Sequence, residues 1–83
     1  MTPAQSRAGR ALLEMTQSEL AQLAQVGLST VVDFEKARRK VSVVAIDAMQ
    51  QALKRAGVEF IDENGGGPGV RLRKSQRQKA TKT

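Results

Sequence analysis

The chain has 83 residues, 40% hydrophobic and 27% charged, with a formal net charge of +6. That length suits one compact domain with a modest core, burying about 60–65% of its unfolded surface. With no Cys and no His, it offers no disulfide frame, no thiolate or imidazole metal ligand, no cysteine nucleophile and no ordinary neutral-pH proton shuttle.

Four helices are expected before Gly57. The first opens at Thr2-Pro3-Ala4-Gln5, with Thr as N-cap, Pro at the first helical position and Gln closing a capping box. Ala4, Ala8, Ala11, Leu12 and Met15 then follow at helical spacing. Thr16-Gln17-Ser18-Glu19 is a second capping box. It opens a helix whose buried stripe is expected to be Leu20, Leu23 and Ala24, ending near Gln25. A third helix starts after Gly27 and runs to about Ala37. At about 100° per residue, Leu28, Ser29, Val32, Asp33 and Lys36 share one face of it, and Val31 and Phe34 point the opposite way. The fourth spans roughly 42–56, with Ile46, Met49, Leu53 and Ala56 inward. Lys54 and Arg55 suit its negative C-terminal end, and Gly57 suits the left-handed residue that stops it.

Beyond Gly57 the pattern changes. Val58-Glu59-Phe60-Ile61 and Val70-Arg71-Leu72-Arg73 have β character and flank a Gly-rich turn over 62–69, so residues 58–74 are expected to form a C-terminal β-hairpin. The glycines precede a strand pattern and lack a Gly-Lys-Ser/Thr ending, which excludes a P-loop. Residues 75–83 are polar and basic and are expected to be a disordered tail. All eight acids, and eight of the fourteen bases, lie in residues 1–69. The whole excess charge therefore falls on Arg71, Arg73, Lys74, Arg77, Lys79 and Lys82. A polyanion such as DNA, RNA or an anionic membrane surface would attract such an arm, and a solvated tail is the plainer alternative.

An enzyme is not expected. A serine nucleophile would lack its usual base, and Asp33 and Glu35, two residues apart on a helix, point away from each other. No metal or cofactor is expected either. The opening Met1-Thr2-Pro3-Ala4-Gln5 has no secretory pattern, and no apolar run approaches the roughly 20 residues of a membrane span. A cytoplasmic protein without membrane contact is expected, and the length leaves no room for a separate sensor domain.

The segment from Gln17 to Glu35 resembles the helix-turn-helix of the Cro/repressor family (Xre-type, lambda-repressor-like) of bacterial transcription regulators. The matching residues are Gln17, the Glu19-Leu20-Ala21 triplet, Val26 in the turn, Val31 and the Phe34-Glu35 pair. Arg10-Ala11-Leu12-Leu13 upstream and Arg38-Arg39 downstream also fit, and the likeness covers about Thr2 to Gly57. It implies a mainly α, lambda-repressor-like DNA-binding domain over 1–57, with the outer face of the third helix in the major groove. By this resemblance Arg10 and Glu35 pair, joining the first helix to the end of the third. Gln17 is expected to hold a phosphate at a helix N-terminus, and Arg38, Arg39 and Lys40 to grip flanking phosphates. Arg71, Arg73 and Lys74 are expected to add further phosphate contacts from the basic segment.

Two departures bear on the turn. Gln25 stands where the family has Gly, so it must adopt a left-handed conformation or shift the turn, and Gly27 replaces the usual Ser as N-cap. A third concerns the reading face, composed of Gly27, Leu28, Ser29, Val32, Asp33 and Lys36. It has no Arg, Asn or Gln for bidentate base pairing. Leu28 and Val32 would meet thymine methyls, Lys36 would reach guanine, and Asp33 would accept from a cytosine amino group. Sparse direct readout supplemented by shape is therefore expected. The expected function is operator-specific regulation of transcription, as a repressor or autoregulator binding paired half-sites as a homodimer in the nucleoid. The interface would be the hairpin or the fourth helix. The alternatives are an antitoxin or an antiactivator, whose third-helix face would bind a toxin or another regulator. A structured-RNA binder fits less well with two Phe and no Tyr or Trp.

Overall fold

Three helices each begin where a hydroxyl side chain can satisfy a free backbone amide. In the computed structural model, which describes residues 1–73, Thr2 and Thr16 accept from the amides of Gln5 and Glu19. Both capping boxes are closed by the returning side chains. They open α1 (Pro3–Leu13) and α2 (Gln17–Ala24). Gly27 caps α3 (Leu28–Glu35) without a side-chain bond, and Ser42 accepts from the amide of Ala45 to open α4 (Val43–Arg55). Strands β1 (Val58–Ile61) and β2 (Gly69–Leu72) pair antiparallel, with Val58 opposite Leu72 and Ile61 opposite Gly69. Among the described residues the protein is thus mainly helical, with four helices and a small hairpin. Lys74 and the tail expected at 75–83 lie outside the described residues.

Three of the four helices end in one way. At α1, Met15 N donates to Arg10 O and Glu14 N to Ala11 O; at α2, Val26 N donates to Ala21 O and Gln25 N to Gln22 O. At α3, Arg38 N donates to Asp33 O and Ala37 N to Phe34 O. These are Schellman closures, which need a left-handed residue, and Glu14, Gln25 and Ala37 supply it with φ of 53°, 59° and 55°. Gln25 therefore keeps the turn in place by taking the left-handed conformation. The half-buried Met15 and Val26, one residue further on, pack against the core and fix the chain's exit. The fourth helix stops before Gly57, whose φ is 120°.

The core is built from Leu20, Ala21 and Ala24 of α2, Val31 and Phe34 of α3, and Met49, Ala52 and Leu53 of α4, joined by Val41 and Val58. Several expected positions are corrected. Leu23 is 53% exposed, because the stripe of this two-turn helix runs through Leu20, Ala21 and Ala24. Ala56 lies exposed past the end of α4, and Ala52 takes the inward place. The apolar spacing of α1 marks its outer side: Ala4, Ala8, Ala11 and Leu12 are exposed, and Gln5, Ser6 and Gly9 are buried. At Gly9 α1 lies against α4 and β1, where a Cβ would meet Leu53 Cδ1 at 3.5 Å and Val58 Cγ1 at 3.6 Å, ordinary contact distances that leave room for a methyl. The second strand is Gly69–Leu72, one residue earlier than expected.

Candidate nucleic-acid interface

The conformation of α3 is set from both sides. Val31 and Phe34 plug the space between α2 and α4, and Glu35 closes the inner end. The Glu35 side chain is only 1% exposed and carries a charge, so it needs donors on every side. Arg10 provides two, Nη2 to Oε1 at 2.7 Å and Nε to Oε2 at 2.9 Å, in bidentate fashion. Ser6 Oγ donates to Oε2 at 2.5 Å and Gln17 Nε2 to Oε1 at 3.1 Å. Burial pushes the Glu35 carboxyl pKa up, but the bonds from Arg10, Ser6 and Gln17, with the charge of Arg10, outweigh it and hold the pKa below its ordinary value. Arg7 also donates to the Glu35 carbonyl. One carboxylate thereby ties α1, α2 and α3 together.

The pair of Arg10 and Glu35 stands as the resemblance implied. Gln17 does not stand free: its side-chain amide serves Glu35, and since Thr16 takes the Glu19 amide, only the backbone amides of Gln17 and Ser18 are left at the start of α2. Ser6 and Arg7 were not singled out by the sequence. Nothing in a stretch Gln5-Ser6-Arg7 distinguishes an inward hydroxyl from a solvated one.

Opposite Val31 and Phe34, the residues Leu28, Ser29 and Lys36 are exposed and Val32 and Asp33 half-buried, with exposed Gly27 at the N-cap. The structure therefore gathers the expected reading residues on one face. Asp33 departs from its expected part. Its carboxylate takes Arg39 Nε at 2.8 Å and lies 3.9 Å from Arg38 Nη1, so it is not a free acceptor for a base. The helix expected to reach Ala37 ends at Glu35, and the left-handed Ala37 reverses the chain. That reversal lays Arg39 back along α3, where Nη2 comes within 3.5 Å of Thr30 Oγ1. Lys36, Arg38 and Lys40 stand exposed around the same end.

The hairpin arginines go elsewhere. Arg71 Nε donates to Glu59 Oε1 across the strands at 2.7 Å. Arg73 Nη2 donates to Lys54 O at 3.2 Å and its amide to Gly57 O, closing the C-terminal end of α4. The hairpin packs on α1 and α4 rather than alongside α3. Both arginines expected at phosphates thus have partners within the chain, and Lys74 is not among the described residues. A cleft of about 360 Å³ between the end of α1 and α2 is lined by Leu13, Glu14, Met15, Glu19, Gln22 and Leu23; its two carboxylates make it unsuited to a phosphate. Among the described residues no three His, Cys, Asp or Glu side chains group as a metal site, and no helix is long and apolar enough to cross a membrane.

The class these observations define is a mainly helical unit of four helices with a two-stranded antiparallel hairpin, exposing a short third helix bordered by cations. No protein-family model matches the chain, and a comparison with curated proteins returns no match.

Proposed function

We propose that the protein is a sequence-specific regulator that binds double-stranded DNA through α3, a lambda-repressor-like helix-turn-helix protein acting as repressor or autoregulator. The observation that carries this reading is the division of α3. Its inner side is engaged by the core and through the bonds of Glu35, and its outer side leaves Leu28, Ser29 and Lys36 exposed, with Arg38, Arg39 and Lys40 at one end. A helix so held can enter a major groove about 12 Å wide without disturbing the fold. Ser29 and Lys36 offer polar contacts to base edges there, and Leu28 and Val32 apolar contacts to thymine methyls. On this reading Arg38, Lys40 and the backbone amides of Gln17 and Ser18 take phosphates on either side. The protein is expected to act at the nucleoid as a homodimer, on half-sites about 34 Å apart.

Fluorescence anisotropy with DNA from the protein's own upstream region, against a scrambled duplex over a salt series, tests this. A preference above about a thousandfold at physiological salt is the expected result. Equal, steeply salt-dependent affinity for both duplexes would leave only generic attraction to phosphate, and the proposal would be wrong.

A second reading has its own observation. Leu28 is half exposed and Val43 and Val44, in the first turn of α4, are 80% exposed, more aliphatic surface than groove contacts require. An antitoxin or antiactivator would cover them with its protein partner. Stable co-purification with a neighbour-encoded protein, lost on replacing Val43 and Val44 by Ser, would favour it.

A further inference from the structure

Apart from Lys36, whose ammonium lacks a planar fork, the outer face of α3 has no long side chain of its own that can pair bidentately with a base. The chain reversal at Ala37 supplies one from outside the helix. Arg39 folds back to lie beside Asp33 and Thr30, two residues three apart on one flank of α3 and bordering the exposed face. Its Nε is taken by Asp33 at 2.8 Å, and Nη2 approaches Thr30. With Nε at Asp33 and one Nη2 hydrogen directed at Thr30, the end-on edge of the guanidinium keeps one N–H from each of Nη1 and Nη2 without a partner among the described residues. That edge carries two parallel N–H donors, matching guanine O6 and N7. The Arg39 side chain remains 50% exposed, so its outward donors are accessible.

We propose that Arg39, braced by Asp33 and Thr30, is the residue that reads guanine in the protein's DNA site. This rests on the DNA-binding reading of α3 and goes beyond it, assigning a base to a side chain that its position after the helix had marked for phosphate. Asp33 is then a positioning residue. By holding Nε it removes rotamers of a flexible side chain before DNA arrives, and its negative charge cancels part of a cation that would otherwise favour any phosphate nearby. Lysine cannot substitute, because an ammonium lacks the planar fork.

The test uses the full chain and selection from a random-sequence duplex library, with wild type, Arg39→Lys and Asp33→Asn compared. The wild type should select a motif containing a guanine. Arg39→Lys should lose preference at that position alone, by roughly 5- to 150-fold, the range for a bidentate pair. Asp33→Asn should relax the same position partially and no other. Replacing that guanine by 7-deazaguanine should weaken the wild type and leave Arg39→Lys unaffected, a coupling that a phosphate contact would not produce. Circular dichroism should show both variants folded, since an exposed ion pair holds little of the fold. A motif that survives Arg39→Lys, that lacks guanine, or that weakens uniformly would overturn the assignment and leave DNA binding by α3 standing. Failure of the wild type to select any motif would overturn both.

Discussion

Glu35 and Asp33 are carboxylates two residues apart on one helix, and each is paired with arginine, yet they sit in opposite surroundings. Glu35 is 1% exposed with donors from α1 and α2; Asp33 is 22% exposed and meets only arginines from the turn that follows α3. A buried charge with its donors in place is costly to disturb, because removing one partner strands the other away from water. An exposed pair contributes little, since water stands ready to replace either partner. The two ion pairs therefore divide the labour. One fixes where α3 sits, and the other holds an exposed cation in place at little cost to the fold.

The largest effect that would break this contrast is at Glu35. Glu35→Gln keeps the shape and leaves Arg10 facing a neutral amide, and should cost about 3–5 kcal/mol in urea unfolding. A loss under about 1 kcal/mol would place the two carboxylates on the same footing. Acid provides a second measure. Because the folded carboxyl holds its proton less tightly than the unfolded one, its stabilisation is complete above the ordinary value of 4.5 and disappears as pH falls through the folded value. The wild type should thus destabilise below that pH, and Glu35→Gln should lose this group's share of the slope.

Smaller changes sharpen the comparison by separating anchoring from backbone strain. Gln25→Gly relieves a left-handed glutamine and should stabilise by about 1 kcal/mol, with α3 unmoved because Glu35 holds it. Gly9→Ala should gain about 0.5–1 kcal/mol, as the added methyl would meet Leu53 and Val58 at ordinary contact distance. Smallest of all, Asp33→Asn should shift the unfolding midpoint by less than about 1 kcal/mol while altering base preference. A stability loss there comparable to that of Glu35→Gln would make Asp33 part of the frame.

Local chemistry made much of the fold legible. The capping boxes of Thr2 with Gln5 and Thr16 with Glu19 and the stop at Gly57 depend on neighbours within a few residues, which a sequence displays directly, whereas at Gln25 it left open a left-handed residue or a shifted turn. The inner side of α1 was hidden because Gln5, Ser6 and Gly9 are not apolar, so hydrophobic spacing selected the alanines that face water. Leu23 misled for a related reason: in two turns of helix, an apolar residue three positions from Leu20 need not share its side. The outer face of α3 could be placed by helical geometry once Val31 and Phe34 were taken as core. Arg39 could not, because nothing about Ala37 marks it as a reversal, and a helix continued through it points the following arginines away from Thr30 and Asp33.

The Gln5 side chain has a consequence for the order of folding. Its amide donates to the carbonyls of Gly69, at 3.0 Å, and Ile61, at 3.4 Å, the residues that face each other at the mouth of the hairpin loop. Those partners lie 64 and 56 residues along the chain, among the most distant in this molecule, whereas the helix caps and Schellman turns form among close neighbours. Loops that long are entropically expensive to close and tend to close last. Ser6 of the same turn needs only Glu35, 29 residues on, so the first turn of α1 can be fastened to α3 before the second strand exists to take the Gln5 amide.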